Sequence, residues 1–297
     1  MKKTLPSKKE RHILFGSVEP KDKVKPTKKS EMVDLQNTKK DFLFPIDQVG
    51  VSNVKIPATL LSKLEPKIQS TIATFTLSCS ISSEFKGTNM SRFTEQLQVY
   101  RQKGLNLDFS NLRDFVVELS NKLEQQKTTI EVQFPWFYER TSTAMKFTGM
   151  NHSSANIKIV YDRKVGFTHE VSLECVVTTL CPCSKEISEY SAHNQRGYVT
   201  ITAILSENFD ESIDWKVELL NAAESNASSM MFPVLKRPDE KMVTEMAYEN
   251  PRFVEDMVRL VAADLYEVGW ISEFTVTCRN EESIHIHDAI ATISMKK

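Results

Sequence analysis

The chain has almost no excess of either charge: 38 Lys and Arg stand against 39 Asp and Glu, a net charge of −1 over 297 residues. No strong field therefore argues for nucleic acid or an anionic membrane surface as a partner. It also lacks any apolar run near the roughly 20 residues that span a bilayer. The first residues, Met-Lys-Lys-Thr-Leu-Pro-Ser-Lys-Lys-Glu, contain no apolar core of a secretory signal. These absences predict a cytoplasmic protein with no membrane and no nucleic-acid partner. Cysteine is scarce and odd in number, five in all, which suits a reducing compartment with free thiols. Cys79, Cys175 and Cys278 lie inside β-like runs and are predicted to be small buried apolar residues. Cys181 and Cys183 differ, because they follow a strand and flank Pro182.

What is present is a hydrophobic content of 40%, enough for a real core, in two similar patterns. Residues 1–45 are rich in lysine, punctuated by prolines, and read as an extended or partly disordered basic arm. Phe42-Leu-Phe-Pro45 is placed to pin its end to the body. Strands are then predicted at 49–61 and 68–81, a helix at 90–103, a second helix at 111–126 capped by Ser110, and strands at 128–134 and 155–161. The second half repeats the order. Strands fall at 168–180 and 198–205, and helices at 214–225 and 238–248. A longer helix starts at Asn250-Pro251, and strands return at 274–278 and 284–293. The chain thus reads as a 46–165 module and a 166–297 module, each β-β-α-α-β-β. The class is α+β, with helices on one face of antiparallel sheets. Open sheet edges predict a homo-oligomer.

The chemistry-bearing residues crowd into the second half. Leu-Cys-Pro-Cys-Ser-Lys-Glu-Ile-Ser-Glu-Tyr-Ser-Ala-His-Asn-Gln-Arg at 180–196 reads as a loop between two strands, a common place for a site. It offers the thiol of Cys181, the imidazole of His193 and the cations Lys185 and Arg196. Glu240 follows Arg237 at a helix start. Glu281, Glu282, His285 and His287 form a third group, with both histidines on one face of a predicted strand start. A thiolate, an imidazole and a carboxylate suit Zn²⁺, Mn²⁺ or Fe²⁺. The spacing of Cys181 and His193 matches no zinc finger, and Cys-Pro-Cys leaves only one residue between its thiols, so an open site is better supported than a closed structural one. Each residue alone is explained as well by packing or capping; their concentration in one repeat is what points to function.

These motifs resemble a known family. The 180–196 stretch, Lys-Arg-Pro-Asp-Glu-Lys at 236–241, Tyr-Glu-Asn-Pro-Arg-Phe-Val-Glu-Asp at 248–256 and Cys-Arg-Asn-Glu-Glu-Ser-Ile-His at 278–285 are together similar to GTP cyclohydrolase of the IB type. Asp34-Leu-Gln36 and Asn89-Met-Ser-Arg92 fit as well. The resemblance implies a bimodular tunnelling fold assembled as a barrel-like homotetramer. It implies metal-dependent hydrolysis of GTP to 7,8-dihydroneopterin triphosphate and formate, the first step toward folate, with a divalent metal not restricted to zinc. By position, Cys181 resembles the essential thiol and metal ligand, and His193 and Glu240 resemble further ligands. Glu282 and His285 share the pocket, with either open as the next ligand and His193 or His285 as proton carrier. Glu255 resembles the glutamate that anchors the purine, and Lys185, Arg196, Arg237 and Arg92 are cations for the triphosphate. Two rivals are a nitrile reductase of the same fold, which needs no metal, and a non-enzymatic module in which Cys181 and His193 hold a structural ion.

Overall fold

Alternation with period two decides the sheet. In the computed structural model, which describes residues 4–20, 22 and 25–297, nine strands form. They are β1 (Ile46–Leu61), β2 (Ile68–Ile81), β3 (Lys127–Thr141), β4 (Thr148–Asp162), β5 (Gly166–Leu180), β6 (Asn194–Leu205), β7 (Ser229–Met230), β8 (Ile271–Glu281) and β9 (Ala289–Lys296). All belong to one sheet of order β1-β2-β3-β4-β5-β6-β8-β9, with β7 added to β5. The two halves of the chain meet where β4 pairs antiparallel with β5, from Ser154↔Glu174 to Asp162↔Gly166.

One face of the sheet is apolar. In β2, Ala73, Phe75, Leu77, Cys79 and Ile81 are at most 1% exposed, and the same parity in β3, β5, β6 and β8 fills a single core. The helices cover that face. They are α2 (Met90–Lys103), α3 (Phe109–Leu123), α5 (Trp215–Glu224), α6 (Arg237–Glu249) and α7 (Val254–Glu267); α1 (Lys8–Leu14) and α4 (Pro182–Ile187) are short. The apolar stripe of α3, formed by Leu112, Phe115, Val116, Leu119 and Leu123, is buried as the periodicity predicts. The opposite face is polar. There hydroxyls pair across strands, Thr275 with Ser294 at 2.9 Å, Thr277 with Thr292 at 3.0 Å and Thr202 with Ser172 at 3.1 Å.

Several boundaries differ from expectation, each for a local reason. Asp108, not Ser110, caps α3, its Oδ1 accepting from the Asn111 N–H at 2.8 Å. Asn250 closes α6, its N–H donating to the Met246 carbonyl at 3.1 Å. Pro251 disfavours helical backbone at the residue before it, so α7 begins only at Val254, where Phe253 N–H donates to Asp256 Oδ2 at 3.0 Å. The alternation at Ile284 and Ile286 imitates a strand, yet both side chains are exposed. Residues 282–288 are a loop, and His285 and His287 lie in it rather than at a strand start. The β3–β4 hairpin is longer than expected, pairing out to Thr141↔Thr148. The basic arm carries α1, capped by Ser7, while Phe42 and Leu43 are buried as anchors; positions 1–3, 21, 23 and 24 of the arm lie outside the described residues.

The three strand thiols are buried as predicted, and burial pushes Cys79 up to about 11 and Cys278 up to about 12. His169, near the start of β5, lies edge-on to Phe109 and stacked on Phe167. Burial pulls its pKa below the ordinary histidine value, the Arg113 charge adds to this, and Glu211 opposes it. The folded protein therefore keeps this ring neutral at pH values where the unfolded chain takes up a proton. Stability should fall as pH drops below about 6.5, continuing until the folded pKa is passed. His169→Phe keeps the ring packing and removes the proton. Urea unfolding from pH 7.5 to 5 should then show a shallower loss in the variant, by at most about 1.4 kcal/mol per pH unit, the weight of one proton. Parallel profiles would refute this.

Candidate functional site

Cys181 sits where β5 runs out. Its backbone N–H extends the β5–β6 ladder by one rung, donating to the His193 carbonyl at 3.1 Å. Pro182 then supplies the fixed φ of a first helical position, and the stretch expected as loop contains α4. Cys181 is the N-cap, its Sγ accepting from the Ser184 N–H at 3.4 Å. Ser184 ties the turn back: its Oγ donates to the Cys181 carbonyl at 3.1 Å and accepts from the His193 N–H at 3.2 Å. Leu180 is clamped from the other side, its N–H on Ser228 Oγ at 3.0 Å and its carbonyl on the Arg252 N–H at 3.0 Å. The thiol thus leaves a backbone fixed from three segments.

The His193 ring reaches the 282–288 loop, with Nδ1 and Ser283 Oγ 3.0 Å apart. One rung inward, Gln195 Nε2 donates to Glu282 Oε1 at 2.9 Å. Gly197 lets the strands close here, since a Cβ at that position would meet Asn280 Oδ1 at 2.9 Å. Cys181, His193 and Glu282 are therefore drawn into one neighbourhood at one end of the sheet. Gln195, Ser283, Ser228 and Arg252 complete it, and sequence reasoning missed all four. For Gln195 a signal existed, a polar residue at the core-facing parity of β6.

Glu240 belongs to a second neighbourhood. Beyond Ser154 the β3–β4 hairpin leaves β5, and the segment around β7 enters the gap. Ser229 and Met230 pair with Thr178 and Val177, and Asn151 Nδ2 donates to the Met231 carbonyl at 2.9 Å. Gly149 allows the close approach of Pro233, which a Cβ would contact at 2.8 Å. Asp239, 1% exposed, then accepts from the N–H groups of Ala144 at 2.8 Å, Met145 at 3.0 Å and Lys236 at 3.2 Å. Burial pushes its carboxyl up, but these donors pull it further the other way, and it is held below the usual carboxylate range. The hairpin of the first half thereby sets the first turn of α6, from which Glu240 and Arg237 project exposed.

The remaining residues make contacts of their own. Glu255 is exposed in the first turn of α7, where a carboxylate suits the helix dipole. His285 is exposed and stacked on His287, ring centroids 4.9 Å apart. Lys185 donates to the Tyr248 carbonyl at 2.6 Å and lies 4.3 Å from that ring's centroid, so it ties α4 to α6. Arg92 donates to the Lys122 carbonyl at 2.6 Å, at the end of α3. Arg196 is exposed, in register with Thr178 and Glu281. Among the described residues of one chain, no group of three or more His, Cys, Asp or Glu side chains is close enough to hold a metal ion, and none of the described helices is long and apolar enough to cross a membrane.

Cys181, His193 and Glu282 are thus held on bonded segments at one end of an antiparallel sheet, and they are residue types that hydrolytic enzymes use. The family described as type I GTP cyclohydrolase folE2 matches residues 32–291. GTP cyclohydrolase FolE2 of Oceanobacillus iheyensis is 62% identical over 297 residues, covering 100% of this chain and 98% of that protein. That of Bacillus subtilis is 52% identical over 293 residues, covering 99% and 96%. Among solved structures, the uricase of Arthrobacter globiformis is similar with TM-score 0.48 and 9% identity, over 84% of this chain and 93% of that one. The chain belongs to the FolE2 family of GTP cyclohydrolases, which carry out the first step of folate biosynthesis from GTP. The family is metal-dependent.

Proposed function

We propose that the Cys181–His193–Glu282 neighbourhood is the catalytic centre at which GTP is hydrolysed to 7,8-dihydroneopterin triphosphate and formate, in the cytoplasm. The observation that carries this is the stitching of three segments, from Cys181 to His193, His193 to Ser283 and Gln195 to Glu282. The donor chemistry fits a divalent ion such as Zn²⁺, Mn²⁺ or Fe²⁺. Ser283 engages Nδ1 of His193, so Nε2 is the ring nitrogen that would serve as a ligand, the usual arrangement of a ligating histidine. Cys181, His193 and Glu240 would hold the ion, with Glu282 or His285 beside them. When bound, the ion supplies Lewis acidity and lowers the pKa of water near it.

The chain's own groups do the rest. Glu255 accepts from the guanine N1–H and 2-amino group and fixes the base. Water adds at C8, His193 or His285 carries the proton to the ring nitrogen, and the imidazole ring opens. A second hydrolysis at the formyl carbon releases formate, and the freed amines close onto the rearranged ribose. Arg196, Arg237, Lys185 and Arg92 are the cations for the triphosphate.

Cys181, His193 and Glu240 are not close enough to hold an ion among the described residues of one chain, so the site is completed between copies. The sheet's outer strands support this. Among the described residues, β9 pairs only with β8 and β1 only with β2, apart from the bonds of Thr59 with Leu105 and Leu107. Joining such edges closes the 46–165 and 166–297 modules of several chains into a ring, a homotetramer of tunnelling-fold modules. The test is purified protein with GTP and Mn²⁺ or Zn²⁺, followed by formate release and by pterin fluorescence after oxidation, with the mass in solution measured alongside. Turnover lost on chelation and restored by metal, from a particle near 136 kDa (4 × 34.0 kDa), is expected. Turnover that survives chelation, or a monomer that turns over, overturns the metal or the assembly part respectively.

A further inference from the structure

We propose that Gln195 is a positioning residue for Glu282, its amide held from behind by the Thr179 hydroxyl. This rests on the reading of the Cys181–His193–Glu282 neighbourhood given above.

Three polar side chains form one row across β5, β6 and the end of β8. Thr179 is in register with Gln195, and Arg196 with Glu281, so the next rung sets Gln195 opposite Glu282. The row lies on the core-facing parity, where the following β6 positions are Val199, Ile201 and Ala203. Thr179 is fully buried and Gln195 is 8% exposed. An amide in such a place costs free energy unless its groups are bonded, and a leucine would fit the parity as well. Its bonds therefore account for its presence. The Thr179 hydroxyl donates to Gln195 Oε1 at 3.4 Å, and Nε2 donates to Glu282 Oε1 at 2.9 Å. Turning the amide over would set its carbonyl oxygen against the Glu282 carboxylate, so Glu282 selects the orientation, and the Thr179 hydroxyl, a donor or an acceptor as needed, completes it.

Glu282 is the first residue beyond β8, where the backbone has left the ladder. The amide holds one of its oxygens, Oε1, to the sheet. The His193–Ser283 contact repeats the device one residue further on. A carboxylate fixed in this way enters an ion or a proton relay without first losing its rotamer freedom, as other supporting partners of metal sites do.

A double-mutant cycle tests it. Gln195→Leu removes the donor and keeps the bulk; Gln195→Glu keeps the shape and turns the donor against Glu282. Each is made in the wild-type chain and in Glu282→Ala. Formate release, Mn²⁺ affinity by chelator competition and the unfolding temperature of the metal-free protein are measured. In the wild-type background, kcat and Mn²⁺ affinity should fall about 10–100-fold, more for Gln195→Glu than for Gln195→Leu, with KM for GTP near wild type and, for Gln195→Leu, which buries no charge, the metal-free unfolding temperature near wild type as well. In Glu282→Ala, either change should add less than about twofold, because residues acting through one another are not additive. Equal losses in both backgrounds, or a metal-free unfolding temperature of Gln195→Leu that falls with its activity, would overturn the proposal. If the wild-type protein releases no formate while Mn²⁺ affinity still couples the two positions, the reading of the site fails and the positioning stands. If formate is released and the losses are additive, the positioning alone fails.

Discussion

Cys181→Ala should lose formate release from GTP by about a thousandfold or more and remain folded. The size follows from what the thiol is proposed to hold. A catalytic ion contributes several kcal/mol of charge stabilisation in the transition state, and about 1.4 kcal/mol is a factor of ten in rate. The retention of fold follows from how the loop is built. The thiol makes one weak cap contact, from the Ser184 N–H at 3.4 Å, in a helix of six residues; losing such a cap costs about 1 kcal/mol. The bonds that hold the loop are backbone to backbone, or run through Ser184 and Ser228. Circular dichroism and formate assays on one preparation separate the outcomes. An unfolded variant returns Cys181 to the role of a structural ligand, and a folded, active one removes it from the chemistry.

The sequence marks the candidate site more clearly than its geometry. Strands β2 and β6 and helices α2, α3 and α5 were legible because burial of one face imposes a period on the residues. Cys181 and His193 stood out because a thiol and an imidazole interrupt that period between two strands. The misreadings came where local pattern and long-range pairing disagree. Ile284 and Ile286 alternate as a strand would, but β9 finds its partner only from Ala289 opposite Asn280. Asn250-Pro251 has the chemistry of a helix start, yet the same asparagine ends α6. The bracing of Glu240 by the β3–β4 hairpin could not be read at all, since Asp239 and Ala144 stand 95 positions apart. The first half runs β-β-α-α-β-β, whereas the second adds α4, β7 and a third longer helix, and the hairpin of the first half shapes the first turn that presents Glu240 in the second.

The largest loss of stability should come from the ion pair between Arg140 in β3 and Glu224 at the end of α5, which also joins the two halves. The two side chains are 19% and 4% exposed. They are bonded through Arg140 Nη2 and Glu224 Oε2, while Arg140 Nε and Glu224 Oε1 are buried without a partner. Burial pushes the Glu224 carboxyl up and the Arg140 charge pulls it down, and burial wins, leaving the pKa raised. The pair is thus not a strong net source of stability, but each member is needed by the other. Arg140→Ala strands a carboxylate in the core and should cost about 3–5 kcal/mol, and Glu224→Ala a comparable amount. Replacing both, with Arg140→Met and Glu224→Leu, should return stability to within about 1–2 kcal/mol of wild type, because two apolar side chains need no partner. Tyr138, whose ring lies 5.3 Å from the guanidinium, is pushed up to about 12 first by burial and then by the Glu224 charge, so the double variant should also lower its phenol pKa. Denaturant unfolding at one fixed protein concentration measures the energies, and ultraviolet titration measures the phenol. A double variant as unstable as the single ones would mean that the pair contributes specific packing that apolar side chains cannot replace, and the argument from burial would fail.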